Sequence, residues 1–263
     1  MTAIEVVGGR VTNPGAGLTA LTPNTGGSFA IRNTTLGSRI NLDGLWAKEA
    51  TAGIVRVRSP RLHDNVQGIR YQVAAASQFN LLGDYPRTNL VPQDALTFEL
   101  GGGAAETDVA CLLIAYESLP GADGRFATWD QIQPRIVDLV TNEVSIAAAA
   151  TIGDWSAGTP INATNDLLKA NTDYAVLGYI AQNSVAAVAL QGIDTGNLKA
   201  GGPGGPSPLE TREWFRRMDM ALDTPYIPVI NSANKGGTLA FQMDNAAGAA
   251  NLVDFLLAEL SAA

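Results

Sequence analysis

Charge, cysteine and histidine are all scarce in this chain of 263 residues. One cysteine, Cys111, cannot close an internal disulfide, and with one histidine, His63, no Cys/His metal cluster can be assembled. Disulfide scaffolds and zinc chemistry are thereby excluded, and neither a metal nor another cofactor is expected. Charged residues make up 16% of the chain, against roughly 25% in ordinary soluble domains. The 17 basic and 25 acidic side chains leave a charge of −8 and a pI near 4.6. Such a chain lacks the field of Lys and Arg that grips a phosphate backbone, so no direct nucleic-acid partner is expected. There is no run of about 18 apolar residues, and the N-terminal MTAIEVVGGRVTNPG has neither the basic segment nor the apolar stretch of a signal peptide. Synthesis in the cytoplasm without secretion is the expectation; contact with a membrane is left open.

What is present is apolar and small. Hydrophobic residues reach 46%, the mean hydropathy is +0.08 and there are 28 glycines, which fits a folded core and excludes a disordered chain. The length suits two medium domains or one large all-β unit. So pale a surface suggests that other protein covers much of it.

The chain repeats itself. LTFELGGGAAETDVACLLIAYES (Leu96–Ser118) aligns without gaps on LAFQMDNAAGAANLVDFLLAELS (Leu239–Ser261) at an offset of 143. Leu96/Leu239, Phe98/Phe241, Ala104/Ala247, Leu113/Leu256, Ala115/Ala258 and Ser118/Ser261 are identical, and pairs such as Val109/Leu252 keep the apolar pattern in phase. A weaker match links IVRVRSPRLHDN (Ile54–Asn65) to AAVALQGIDTGN (Ala186–Asn197) at an offset of 132. Both copies of the stronger repeat have the pattern of a β-hairpin: strand, small-residue turn, strand.

Period-2 alternation marks GIVRVRS and ALTFEL as half-buried strands. SFAIRN (28–33), IRYQVA (69–74), EVSIAAA (143–149), YAVLGYIA (174–181) and YIPVI (226–230) are further strands bounded by turn residues. Helices are few. The best is LETREWFRRMDMAL (209–222), with Ser207 as its cap and Pro208 at its start. NDLLKA from Asn165 and AAASQFNLL (74–82) are weaker, and TWDQIQPRIVDLV (128–140) is a helix broken by Pro134. The expectation is an all-β fold of two tandem, jelly-roll-like β-sandwiches related by duplication, with one or two short helices. The first spans 1–125, a connector 126–140, and the second 141–263.

No constellation of residues names a reaction, so no catalytic, cofactor or metal residues are assigned. His63 and Asp64 are adjacent, and neighbours on a strand point to opposite faces. GGG (101–103) and GGPGGP (201–206) lack the G-K-[ST] ending of a phosphate loop and fit a turn and a flexible loop. Asp219 and Asp223 lie at helical spacing with no second element to complete a site. Trp46, Trp129, Trp155 and Trp214 lie in different elements, although stacked aromatics are what a sugar-binding sandwich uses. The arginines are more suggestive. Arg56, Arg58, Arg61 and Arg70 cluster, alternation puts Arg56 and Arg58 on one strand face, and Arg212, Arg216 and Arg217 fall on the late helix. All seven are candidate intersubunit contacts, since guanidinium pairs with carboxylate in two parallel bonds. A solvated outer face is the other reading.

A tandem sandwich admits a two-domain cupin enzyme, which needs several His ligands and is excluded by a single His63; a carbohydrate-binding or carbohydrate-processing protein; and a structural protein. On the duplicated segments, the helix LETREWFRRMDMAL in the second half, the length and the lack of a catalytic set, the chain resembles the double jelly-roll major capsid proteins of viruses. The resemblance implies a non-enzymatic shell protein of the virion. It would partner itself, as a homotrimer forming a pseudo-hexagonal tile of an icosahedral capsid, and other capsid proteins. The weak helix AAASQFNLL is where the first half departs from the symmetry.

Overall fold

The computed structural model describes residues 3–25, 27–32, 40–48, 53–62, 66–73, 79–82, 90, 94–102, 107–117, 119, 121, 123–181, 185–204, 211–244 and 250–262. The fold is all-β, with four antiparallel sheets and two short helices. In the first half, β1 (Ala3–Thr12), β3 (Thr22–Pro23), β4 (Ile40–Lys48), β7 (Asn80–Leu81) and β9 (Thr107–Tyr116) form sheet I in the order β3-β1-β9-β4-β7. Sheet II faces it, with β2 (Thr19–Ala20), β5 (Gly53–Arg58), β6 (Ile69–Val73) and β8 (Thr97–Gly101) in the order β2-β8-β5-β6. In the second half, β12 (Thr159–Pro160), β14 (Val185–Gln191), β15 (Ala200–Pro203) and β17 (Leu239–Asp244) form sheet III, ordered β12-β17-β14-β15. Sheet IV holds β10 (Phe126–Ala127), β11 (Ile136–Ile146), β13 (Asp173–Ala181), β16 (Ile227–Asn231) and β18 (Asn251–Leu260), ordered β10-β16-β13-β18-β11.

Eight strands of each half match, and β3 and β10, at opposite edges, have no counterpart. The run β1-β9-β4-β7 of sheet I corresponds to β11-β18-β13-β16 of sheet IV, and β2-β8-β5-β6 of sheet II to β12-β17-β14-β15 of sheet III. Registers agree as well: Ile4 lies opposite Ala115 and Leu139 opposite Ala258, partners separated by the 143-residue offset of the repeat.

Burial explains why the apolar runs take these places. In β5, Val55 and Val57 point inward while Ile54, Arg56 and Arg58 point out, the period-2 pattern of a strand with one wet face. The run CLLIAY in β9 is buried on both faces, as a central strand requires when its sheet is covered on each side. Ala110, Leu112, Ile114 and Tyr116 join Phe98, Leu100 and Val55 in the core of the first sandwich. The alternate residues Val109, Cys111, Leu113 and Ala115, with Ile4, Val6 and Trp46, join the core of the second half. Sheet I is therefore an interior layer.

Several expectations need correction. The repeated segments are not hairpins: β8 lies in sheet II and β9 in sheet I, and β17 lies in sheet III and β18 in sheet IV. Both edges of each strand are already taken, β9 by β1 and β4 and β8 by β2 and β5, so the chain arches from one sheet to the opposing one. The late helix, α2, runs over Trp214–Leu222, after a turn at Arg212 and Glu213; Leu209 and Glu210 lie outside the described residues. Its expected cap, Ser207–Pro208, lies outside the described residues. NDLLKA forms no helix; a six-residue segment is too short to be stable alone, and here Leu168 is buried while Lys169 N donates to Tyr174 Oη at 2.9 Å. Of SFAIRN, the described residues 28–32 supply a single bridge, Ala30 to Ala95. AAASQFNLL ends in strand β7, its residues 74–78 lying outside the described ones. GGPGGP begins as strand: Gly201 and Gly202 pair with Ala189 and Val188.

Residues 126–140 hold β10, helix α1 (Trp129–Ile132) and the start of β11. A Thr128/Gln131 capping box opens α1 and Pro134 sits in the 3₁₀ turn that ends it. β10 pairs with β16 and β11 with β18.

Candidate functional site

The two halves are joined by a series of specific contacts. Val6 N donates to Lys199 O at 2.9 Å, and the Trp46 indole Nε1 donates to Ala186 O at 2.9 Å. Cys111 Sγ lies 3.7 Å from Met243 Sδ. Tyr226 Oη donates to Asp43 Oδ2 at 3.1 Å, and Arg10 Nη1 is 3.1 Å from Asp154 Oδ2. Thr25 adds its backbone N–H and hydroxyl to the same Asp154. Glycine permits the approach: a Cβ on Gly153 would come within 2.9 Å of both Arg10 and Val109.

A cleft of about 360 Å³ opens at this junction, lined by Glu5, Asn24, Arg32, Trp155 and Lys199 among others. Its charges answer one another. Arg32 clasps Glu5 through Nε to Oε2 at 2.7 Å and Nη2 to Oε1 at 2.5 Å. The Lys199 ammonium lies 4.6 Å from the centre of the Phe241 ring, close to Trp155, and burial lowers its pKa. Lys48, at the other end of the seam, donates to Val185 O; burial brings its pKa down to about 8, partly offset by Asp244. None of these contacts joins a nucleophile to a base. Lys48 ties one half to the other, while the Arg32–Glu5 pair lies within the first half and Lys199 with its rings within the second.

The seven predicted arginines do not form one patch. Arg56 and Arg58 both grip Glu99 of the adjacent strand: Arg56 Nε and Nη2 at 2.6 and 2.9 Å, Arg58 Nε and Nη2 at 2.9 and 3.0 Å. Burial alone would raise the pKa of Glu99, and the two guanidiniums more than reverse it, holding the carboxyl below its usual range. Arg70 lies beside Arg56 across the β5–β6 pairing and donates to Gln67 O, while Arg61 is 3.9 Å from Asp94. On the other side of the molecule Arg216 bonds to Glu213 and stacks 4.4 Å over the Trp129 ring, while Arg212 and Arg217 are exposed.

The remaining sequence candidates stay apart. His63 and Asp64 lie outside the described residues. Asp219 is buried against α1, accepts from Trp129 N at 2.8 Å and has its pKa raised by that burial; the charge of Asp223, in a left-handed turn after α2, adds to that rise. Trp46 and Trp214 are buried, and Trp129 and Trp155 face cations at separate places, so the four make no common platform. The junction itself was invisible in the sequence. Ile4, Val6, Trp46 and Cys111 are ordinary core residues by type, and the only signal was that β9 lacks a polar alternate face.

No family model and no curated protein matches the chain. Among solved structures it is similar, over 99% of its length and 99% of the other chain, to a chain in the cryo-EM structure of the T=1 Penaeus vannamei nodavirus, at 10% identity and a TM-score of 0.26. So low a score falls short of a shared fold, and nothing about this chain follows from it. Among the described residues, no helix is long and apolar enough to cross a membrane.

Proposed function

We propose that the chain is a structural shell protein, a double jelly roll that assembles with itself into the capsid of a virion. The supporting observation is the doubled strand order. In each half eight strands fill two opposed four-stranded runs, β1-β9-β4-β7 over β2-β8-β5-β6 and β11-β18-β13-β16 over β12-β17-β14-β15, the double-sheet arrangement of a jelly roll. Two like units in one chain, taken three times, make six like corners, so a homotrimer serves as a pseudo-hexagonal tile. The chain then acts by contact and not by catalysis, with other capsid proteins as further partners and no direct grip on nucleic acid.

Light scattering coupled to size exclusion, with negative-stain images of any large fraction, tests this. Trimers or closed shells are expected. A protein that stays monomeric at every concentration and salt tried would refute the proposal, and a glycan screen would then be the next step. The His63→Ala variant should assemble as the wild type does.

A further inference from the structure

One face of the first half is covered by the second half, whereas part of the matching face of the second half is exposed. Within sheet I the outward residues Ile4, Val6, Trp46 and Val109 lie against the second half. Their counterparts in sheet IV follow from the registers. Leu139 stands opposite Ala258 as Ile4 stands opposite Ala115, Thr141 opposite Leu256 as Val6 opposite Leu113, and Ile180 opposite Asp254 as Trp46 opposite Cys111. Leu252 is the repeat partner of Val109. Ile4 and Val109 are both 0% exposed, whereas Leu139 is 55% and Leu252 44% exposed. Leu139 and Leu252 are thus displayed where the first half buries their counterparts, while Leu256 and Ala258 of the same face are buried and Thr141 and Asp254 stand in place of Val6 and Cys111.

The gripping side shows the same asymmetry. The second half holds sheet I through sheet III and the segment before it: Ala186 of β14, Met243 of β17, Lys199 ahead of β15, and Gly153 between β11 and β12. The corresponding parts of the first half are β5, β8, the approach to β6, and the segment between β1 and β2. There Ile54 is 42% exposed, and a Cβ added at Gly15 or Gly17 would meet nothing within 4 Å, where Gly153 is hemmed in. A shallow hollow lined by Leu18, Ile54, Tyr71, Gln72 and Gly101 lies between them. β11 also has no strand partner on its outer edge among the described residues, while the same edge of β1 accepts β3 and gives its Val6 N–H to Lys199 O.

We infer that the outer face of sheet IV, around Leu139, Thr141, Ile180 and Leu252, receives the outer side of sheet II, around Ile54 and the hollow beside it, from a second copy of this chain. The contact between copies then repeats the contact already made between the halves. Such a contact is head to tail, each chain offering one face and one grip, and it closes into a ring only if the rotation permits. The inference rests on the self-assembly proposed above. It assigns the outer face of sheet II, with Arg56, Arg58 and Glu99, to the seam between copies, and leaves Arg212, Arg216 and Arg217 outside it.

Two variants test it in the full chain, each placing a carboxylate on an exposed site so that the fold is retained: Leu139→Asp with Leu252→Asp on the face, and Ile54→Asp on the grip. Circular dichroism and melting establish that both are folded. Under conditions where the wild type forms trimers or larger species, each variant alone should be a monomer. Mixed in equal amounts they should give a species of two chains and nothing larger, because one intact face and one intact grip survive between them. If either variant assembles like the wild type, or if the mixture stays monomeric, this interface is wrong while self-assembly stands. If the wild type never assembles, both fall.

Discussion

Gly44 and Gly178 hold the same place in two different sheets. Each follows a bulge in its strand, Gly44 opposite Leu113 and Gly178 opposite Leu256, at the 143-residue spacing of the repeat. At each a Cβ would strike the chain that leads into the next strand of that sheet: the ring of Phe79 before β7, and the backbone of Thr211–Trp214 before α2 and β16. The bulge and the glycine together let that connection cross the sheet closely. In the second half α2 occupies the connection, and Phe79 of the first half packs edge-on to Trp214, with ring centres 4.6 Å apart.

Replacing either glycine by alanine should therefore destabilise, and Gly178→Ala more than Gly44→Ala. Backbone atoms cannot turn aside as a phenyl ring can. Overpacking of this kind costs about 1–3 kcal/mol, or roughly 2–4 °C per kcal/mol in a chain of this size. Thermal unfolding by circular dichroism measures it. Equal melting temperatures for Gly178→Ala and wild type would show that the crossing is loose.

Glu99 carries two guanidiniums and so makes a second expectation. Glu99→Gln leaves Arg56 and Arg58 without the carboxylate that accepts from both, at a cost of about 1–3 kcal/mol for partly buried charged groups. Because the folded pKa of Glu99 is depressed, its contribution is present above the ordinary glutamate pKa of about 4.3 and is lost as pH falls through the folded value. Urea melts should show wild type above Glu99→Gln at pH 7, with the gap closing in acid. A gap independent of pH would assign the loss to shape alone.

What the sequence made legible here follows from what is local. The strands GIVRVR, IRYQV and YAVLGYIA are visible because alternation and burial act residue by residue. The 143-residue repeat is visible because it preserves which residues of β9 and β18 face inward. Pairing is not local. Glu99 lies 41 residues from Arg58 and 43 from Arg56, so a strip of arginines looked unpaired. The arches looked like hairpins because a strand–turn–strand pattern is the same whether the second strand joins the first sheet or the opposing one. The same limit hid the junction: Cys111 and Met243 touch across 132 residues.

Lys48 gives a prediction in alkali. Its folded pKa of about 8 is below that of an exposed lysine, about 10.4. The unfolded chain therefore binds more protons between those values, and the burial penalty is relieved as pH rises through that window. Lys48→Met should be more stable than wild type at pH 7, and its advantage should shrink by pH 10. Taking the difference between the two proteins cancels the buried Cys111 and tyrosines, which act in the opposite direction in both. An advantage that grows with pH would show that Lys48 is not held as described.

Cys111 reports on the seam itself. The thiol is fully buried between sheet I and the second half, and burial raises its pKa far above the usual thiol range, so a reagent that needs thiolate must wait for an opening. The wild type should therefore label slowly at pH 8 under native conditions and at once in denaturant. Trp46→Phe removes the indole N–H that holds Ala186 O across the junction. A net hydrogen bond is worth about 1 kcal/mol, so labelling should speed up roughly fivefold if the halves part by local opening. Glu99→Gln, in sheet II and away from that bond, separates the two routes: it lowers global stability without touching the Trp46 contact. If the two variants speed labelling only in proportion to their lost stability, Cys111 is reached by global unfolding, and the seam is as firm as the sandwiches it joins.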